Sequence, residues 1–327
     1  MANNLFKQVF IKDLKEGDRI SGQPFVIKSY RTLTSKNNKQ YIDITIGDKT
    51  GSMKGKIWSD NLVNCQEGRE GDVFLISGNI DSFSNSLQMT ITSMFKADEF
   101  EVSDFLQVAR ENPDEMYSQL TQFMAKIEDE DFKDLLETVF DDENIRNTFK
   151  KAPAAFTVHH SYAGGLLEHT LDCLVLAESL LERYPKMRKD LLFTGAILHD
   201  FGKIFEFDIS TTITISDRGK LLGHIYMGTE YISKIAPKGF DQEKLNELMH
   251  LLLSHHGELE FGSPIKPKTI EAVALWMADM ASAKVNMAYN FTYDNIGIGN
   301  DDQNFSPYHK HLATDLYLKP YIAEEDE

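Results

Sequence analysis

Between residues 10 and 95, apolar and polar positions alternate in short runs separated by turns. Phe25-Val26-Ile27-Lys28-Ser29-Tyr30 reads as a strand. The run from Tyr41 to Ile46 sets Ile42, Ile44 and Ile46 on one face and Tyr41, Asp43 and Thr45 on the other. Runs at 53–58, 73–80 and 87–92 complete five strands, with a short polar, helical stretch near 61–66 after the third. Beyond residue 98 the period lengthens to that of helices. Leu120, Phe123, Met124 and Ile127, then Phe132, Leu135, Leu136, Val139 and Phe140, recur at helical spacing. Leu167, Leu171, Leu174 and Leu181 mark the next helix, residues 191–198 an almost wholly apolar one, and Leu245, Leu248, Met249 and Leu252 another. Residues 271–289 form the last long helix. A stretch rich in branched residues, Thr211-Thr212-Ile213-Thr214-Ile215, interrupts the helices as a small hairpin. The fold class expected is multidomain α+β: a five-stranded β-barrel, then an all-α domain carrying one hairpin.

Composition sharpens this picture in two ways. A chain of 327 residues with 42% hydrophobic content holds two or three real cores. It has no apolar run of about 18 residues or more, its first residues lack a signal-peptide core, and Cys65 and Cys173 make no redox or zinc motif. A soluble, cytoplasmic protein without a membrane partner is expected. The net charge of −17 argues against a polyanionic partner until its distribution is considered. The first hundred residues carry 13 Lys and Arg against 12 Asp and Glu, so the acidity lies in the remainder.

Five strands with a helical connection after the third resemble nucleic-acid-binding OB-folds. Lys36 and Lys39 flank the loop between the first two strands, and Lys54, Lys56 and Trp58 share one face of the third. Lysines follow phosphates while aromatic rings stack on bases, so single-stranded RNA, or single-stranded DNA, is the partner expected for this face. Burial of Trp58 in the barrel core is the equal alternative.

The chemistry centres on Ala196-Ile197-Leu198-His199-Asp200-Phe201-Gly202-Lys203, where an apolar helix stops abruptly in a histidine and an aspartate. Neighbours on a helix point about 100° apart, so both reach one point only at the helix end. Gly202 lets other backbone approach, and Lys203 adds a cation. Other metal-ligand types stand on or beside predicted helices: His169, His224, the pair His255-His256, and Asp279 inside an apolar face. The acidic runs Asp129-Glu130-Asp131 and Asp141-Asp142-Glu143 lack ligand spacing and read as solvated helix ends.

This order of His, His-Asp, His, His-His and Asp resembles the HD-domain metal-dependent phosphohydrolases over residues 157–290. The combination with a barrel, and the run His159-His160-Ser161-Tyr162-Ala163-Gly164-Gly165-Leu166-Leu167-Glu168-His169-Thr170, is similar to the YhaM family of bacterial 3′-to-5′ exoribonucleases. The resemblance implies a hydrolase that shortens single-stranded RNA, and single-stranded DNA as an alternative, to nucleoside 5′-monophosphates. It implies two divalent ions, manganese first among them. His169, His199, Asp200 and Asp279 would hold one, and Asp200 would bridge to a second held by His224 with His255, His256 or both. Lys203 would face a phosphate oxygen. From their own place just before the first ligand helix, His159 and His160 are expected either at the mouth of the site in contact with a phosphate or, equally, on a surface loop. The expected boundaries are 1–97 for the OB domain, 98–156 for an acidic helical connector, 157–300 for the HD domain and 301–327 for an acidic extension. A homo-oligomer is compatible with this plan. Two rivals remain: a nucleotidase or cyclic-nucleotide phosphodiesterase whose OB domain serves assembly, and a non-catalytic RNA-binding protein with a structural metal.

Overall fold

The computed structural model describes residues 7–35, 37–83, 86–106, 108–109, 111–156, 160–296 and 304–322. The chain divides into two compact units, Met1–Val108 with Ile209–Thr214, and Ala109–Asp208 with Ile215–Glu327.

The first unit is a closed barrel of β1 (Arg19–Thr34), β2 (Gln40–Asp48), β3 (Gly51–Ile57), β4 (Val73–Phe83) and β5 (Ser86–Lys96), in the order β1-β2-β3-β5-β4. Ile42, Ile44 and Ile46 turn inward as their alternation predicts, joining Phe25, Ile27, Ile57, Phe74, Ile76, Met89 and Ile91 in the core. The link after β3 is a 3-10 helix, Ser59–Asn64. One expectation needs extending, because the first strand runs 16 residues rather than the six at 25–30. Irregular pairing between Ile20 and Gln23 bends it. Its first half then pairs with β4 and its second with β2, so one strand serves two edges of the barrel. The parallel pairing of β3 with β5 closes the cylinder and leaves no free edge there.

The second unit contains α1 (Pro113–Met124), α2 (Glu130–Asp141), α3 (Glu143–Lys151), α4 (Gly165–Arg183), α5 (Lys189–Leu198), α6 (Lys203–Glu206), α7 (Asp217–Ile235), α8 (Gln242–Ser254) and α9 (Ile270–Asn295). Side-chain caps start several of these helices: Asn112, Asp129, Asp142, Ser216, Asp241 and Thr269 each accept a first-turn backbone N–H. The acidic runs noted in the sequence therefore supply caps. The expected hairpin is a pair of three-residue strands, β6 (Phe207–Ile209) and β7 (Ile213–Ile215). The core packs α4, α5, α8 and α9 together through Leu167, Leu174, Leu192, Leu251 and Leu275, each fully buried. Phe140, Phe149 and Phe201 meet at ring-centroid distances of 5.3–6.2 Å beneath the end of α5. No helix among the described residues is long and apolar enough to cross a membrane.

Candidate metal centre

All of α5 from Leu191 to Leu198 is buried, and His199 caps its C-terminus. Helix ends leave carbonyls without partners. His199 answers this by donating Nδ1–H to the Ala196 carbonyl at 2.9 Å. The cap of α8 repeats the device, with His255 Nδ1–H donated to the Leu252 carbonyl at 2.7 Å. His256 donates Nδ1–H to the Phe261 carbonyl at 3.1 Å, and His224 to Glu206 Oε2 at 3.0 Å. Carbonyl and ionised carboxylate oxygens only accept, so the ring nitrogen facing each carries a proton, and in the neutral ring the lone pair falls on Nε2.

These Nε2 atoms converge on Asp200. Its Oδ2 lies 3.5 Å from His169 Nε2 and 3.4 Å from His199 Nε2. Its Oδ1 lies 3.4 Å from His224 Nε2 and 3.5 Å from His255 Nε2. Asp279 Oδ1 reaches to 3.2 Å from His169 Nε2, and the His256 ring stands 4.2 Å from that of His255, centroid to centroid. The seven residues singled out as metal ligands in the sequence thus stand together, with the two oxygens of one carboxylate turned to two sets of imidazoles. Asp200 Oδ1, His224 Nε2 and His255 Nε2 are buried and make no hydrogen bond. Buried lone pairs that face one another at such distances are costly unless a cation lies between them. The donor set, mixed imidazole and carboxylate, suits a divalent transition metal.

Protonation favours the same reading. Burial pulls the His169 and His255 imidazoles below their ordinary value. Burial, then the neighbouring His255, pulls His256 down to about 3. Burial alone would raise Asp200, but the Lys203 ammonium and His199 outweigh it and hold the carboxyl well below its usual range. Asp279 is held down likewise, with His169 outweighing burial. Neutral rings and ionised carboxylates are the ligating forms. His199 differs: burial lowers it, yet the neighbouring Asp200 carboxylate outweighs this and raises it.

The nucleic-acid residues expected from sequence lie on the barrel. Lys54 is exposed on β3, and Trp58 at its end is 41% exposed, which places the indole on the surface and not in the core. Lys56 Nζ stands 5.3 Å from the Trp58 ring, 5.9 Å from Tyr41 and 5.9 Å from the exposed Phe83. Lys39 is exposed and 3.8 Å from Asp60. Lys36 and His159 lie outside the described residues. His160, expected at a phosphate, is instead buried at 1% exposure, with Asn286 Nδ2 3.0 Å from its Nε2.

The HD domain model matches residues 166–283, the segment that carries all seven metal-ligand candidates. The 3′-5′ exoribonuclease YhaM of Listeria monocytogenes serotype 4b is 33% identical over 270 residues, which cover 80% of this chain and 84% of that protein. The chain belongs to the YhaM family of 3′-5′ exoribonucleases. The YhaM of Halalkalibacterium halodurans is 35% identical over 269 residues, 80% of this chain and 83% of that protein. A solved structure, the second OB-fold domain of replication protein A from Methanococcus maripaludis, aligns at 18% identity and a TM-score of 0.23, covering 28% of this chain and 95% of its own. An HD domain implies dependence on a divalent metal.

Within this YhaM-family site, several residues had no separate signal in the sequence. Glu206 and Ser282 hydrogen-bond the rings of His224 and His169, Asp172 accepts from Ser282, and these partners lie 18 to 113 residues apart. Cys173 is fully buried and puts its Sγ 3.8 Å from His169 Nε2. Burial, then Asp279 and Asp200, push its thiol well above the ordinary range. Gly202 performs the close approach expected of it, since a Cβ there would stand 2.0 Å from the His224 carbonyl oxygen. Gly202→Ala must therefore push the backbone of α7 away from Asp200. The expected result is a loss of about 1–3 kcal/mol of stability, the usual cost of overpacking. Thermal unfolding and the metal content of the purified variant check it, and wild-type values for both would contradict it.

Proposed function

We propose that the protein hydrolyses single-stranded RNA from its 3′ end to nucleoside 5′-monophosphates, using two divalent ions, Mn²⁺ by preference. The observation that carries this reading is Asp200, whose two carboxylate oxygens face separate imidazole sets. His169, His199, Asp200 and Asp279 would hold one ion, and Asp200, His224, His255 and His256 the other. Bound there, the ions would polarise the phosphodiester and acidify the attacking water. Lys203, 2.5 Å from Asp200 Oδ2, supplies a buried cation beside the reacting phosphate, where charge develops. Oligoribonucleotides labelled at either end test the direction. With Mn²⁺, a 3′ label should leave at once as mononucleotide, while a 5′ label should pass through a ladder of shortened strands. Internal cuts, or early loss of the 5′ label as mononucleotide, would contradict the reading.

The barrel would supply the grip on the polymer. Stacking on an aromatic ring contributes about 1–3 kcal/mol per base, and lysines at phosphates add a salt-dependent share. Trp58→Ala combined with Lys56→Ala is expected to raise KM for a long oligoribonucleotide about tenfold or more. The salt dependence should flatten, while a small diester such as bis-p-nitrophenyl phosphate is cleaved as before. Unchanged KM on long RNA would favour a hydrolase of small nucleotides.

A further inference from the structure

Three of the five histidines fix their tautomer through main-chain carbonyls, those of Ala196, Leu252 and Phe261. The other two depend on side chains. His224 Nδ1 is 3.0 Å from Glu206 Oε2, and His169 Nδ1 is 2.9 Å from Ser282 Oγ. A serine hydroxyl can donate as well as accept, so Ser282 by itself does not decide which nitrogen of His169 carries the proton. Asp172 decides it. Ser282 donates its hydroxyl hydrogen to Asp172 Oδ2 at 3.0 Å, which leaves only an oxygen lone pair facing the ring. The neutral His169 ring must then donate from Nδ1, with the lone pair of Nε2 on the side of Asp200 and Asp279. Were the hydroxyl to rotate and donate to Nδ1, the proton would move to Nε2 and the ring could not ligate.

We propose that Glu206 and the Ser282–Asp172 pair are positioning residues, each setting the ligating tautomer of one histidine and thereby tuning one of the two metal positions separately. The inference rests on the metal-centre reading given above. Glu206 acts directly on the set that faces Asp200 Oδ1. Asp172 acts through one hydroxyl on the set that faces Oδ2. The two devices stand on different helices, with Glu206 ending α6, Asp172 on α4 and Ser282 on α9, so they should act independently. Partners of this kind that orient a ligand ring are worth about 10–100-fold in metal affinity.

Isothermal titration of the full-length, chelator-stripped protein with Mn²⁺ tests this, beside thermal unfolding of the same metal-free samples. Glu206→Ala and Ser282→Ala should each weaken a different one of the two binding steps by about 10–100-fold. Asp172→Ala should weaken the same step as Ser282→Ala. The Glu206→Ala/Ser282→Ala double variant should show both losses, and Glu206→Gln, which keeps an oxygen acceptor, should recover most of the affinity. The metal-free melting temperatures should stay near wild type, which a packing role would not allow. Wild-type Mn²⁺ affinity in the Glu206, Ser282 and Asp172 alanine variants, with Asp200→Ala unable to bind, would overturn the positioning roles and leave the metal centre standing. Losses that track a fall in metal-free melting temperature, with no recovery in Glu206→Gln, would overturn them too. Undiminished binding by Asp200→Ala would overturn the metal centre and the positioning roles together.

Discussion

Asp200→Ala is expected to abolish RNA hydrolysis and to strip metal from the protein while the helical signal in circular dichroism persists. Removing a single electrostatic donor from an active site costs about 10²–10³-fold in kcat. Asp200 faces both imidazole sets, so its loss should exceed that range. One confounding effect can be separated. Lys203 is buried at 6% exposure, and deleting its partner strands an ammonium, a change that costs about 3–5 kcal/mol in stability. The Asp200→Ala/Lys203→Met double variant removes that charge, so it should regain stability without regaining activity or metal. Full activity in an Asp200→Ala protein of verified metal content would contradict the assignment.

Lys203→Met should be the second most damaging substitution, through a different route. The ammonium is not a ligand, so the variant should still take up Mn²⁺. The metal-free protein should melt lower, because Asp200 loses its nearest counter-charge. Added Mn²⁺ should restore most of that loss, since it supplies positive charge to the same carboxylate and stabilises by mass action. Activity should not return with stability: kcat is expected to remain about 10²–10³-fold down, as for loss of a charge-stabilising donor. A metal-loaded Lys203→Met enzyme with normal kcat would limit Lys203 to balancing the charge of Asp200.

Much of the centre was readable from the chain because each ligand type sits where an apolar pattern breaks. A histidine after eight buried residues of α5, another pair after α8 and an aspartate inside the apolar face of α9 all demand a polar partner. The alternation of Ile42, Ile44 and Ile46 fixed the inner face of β2 for the same reason of burial. The hydrogen-bond partners of the histidines have no local mark in the sequence. Ser282 and Asp172 lie 110 residues apart, and either reads as an ordinary polar position on a helix until folding brings them together. His160 misled for the converse reason. Its neighbours Ser161 and Tyr162 suggest a surface loop, yet its backbone takes φ 45° and carries the ring into the interior beside Asn286. The length of β1 depends on an irregularity between Ile20 and Gln23 near Gly22, where φ is 57°, and turn residues there read as the end of a strand.

Anomalous diffraction from crystals of the full-length protein soaked in Mn²⁺ tests the two-ion centre most directly. Two peaks about 3.5–4 Å apart are expected, the separation of paired catalytic metals. The Asp200 carboxylate should lie between them, with one peak on the His169, His199 and Asp279 side and the other on the His224, His255 and His256 side. A single peak, or two peaks that do not share Asp200, would contradict it.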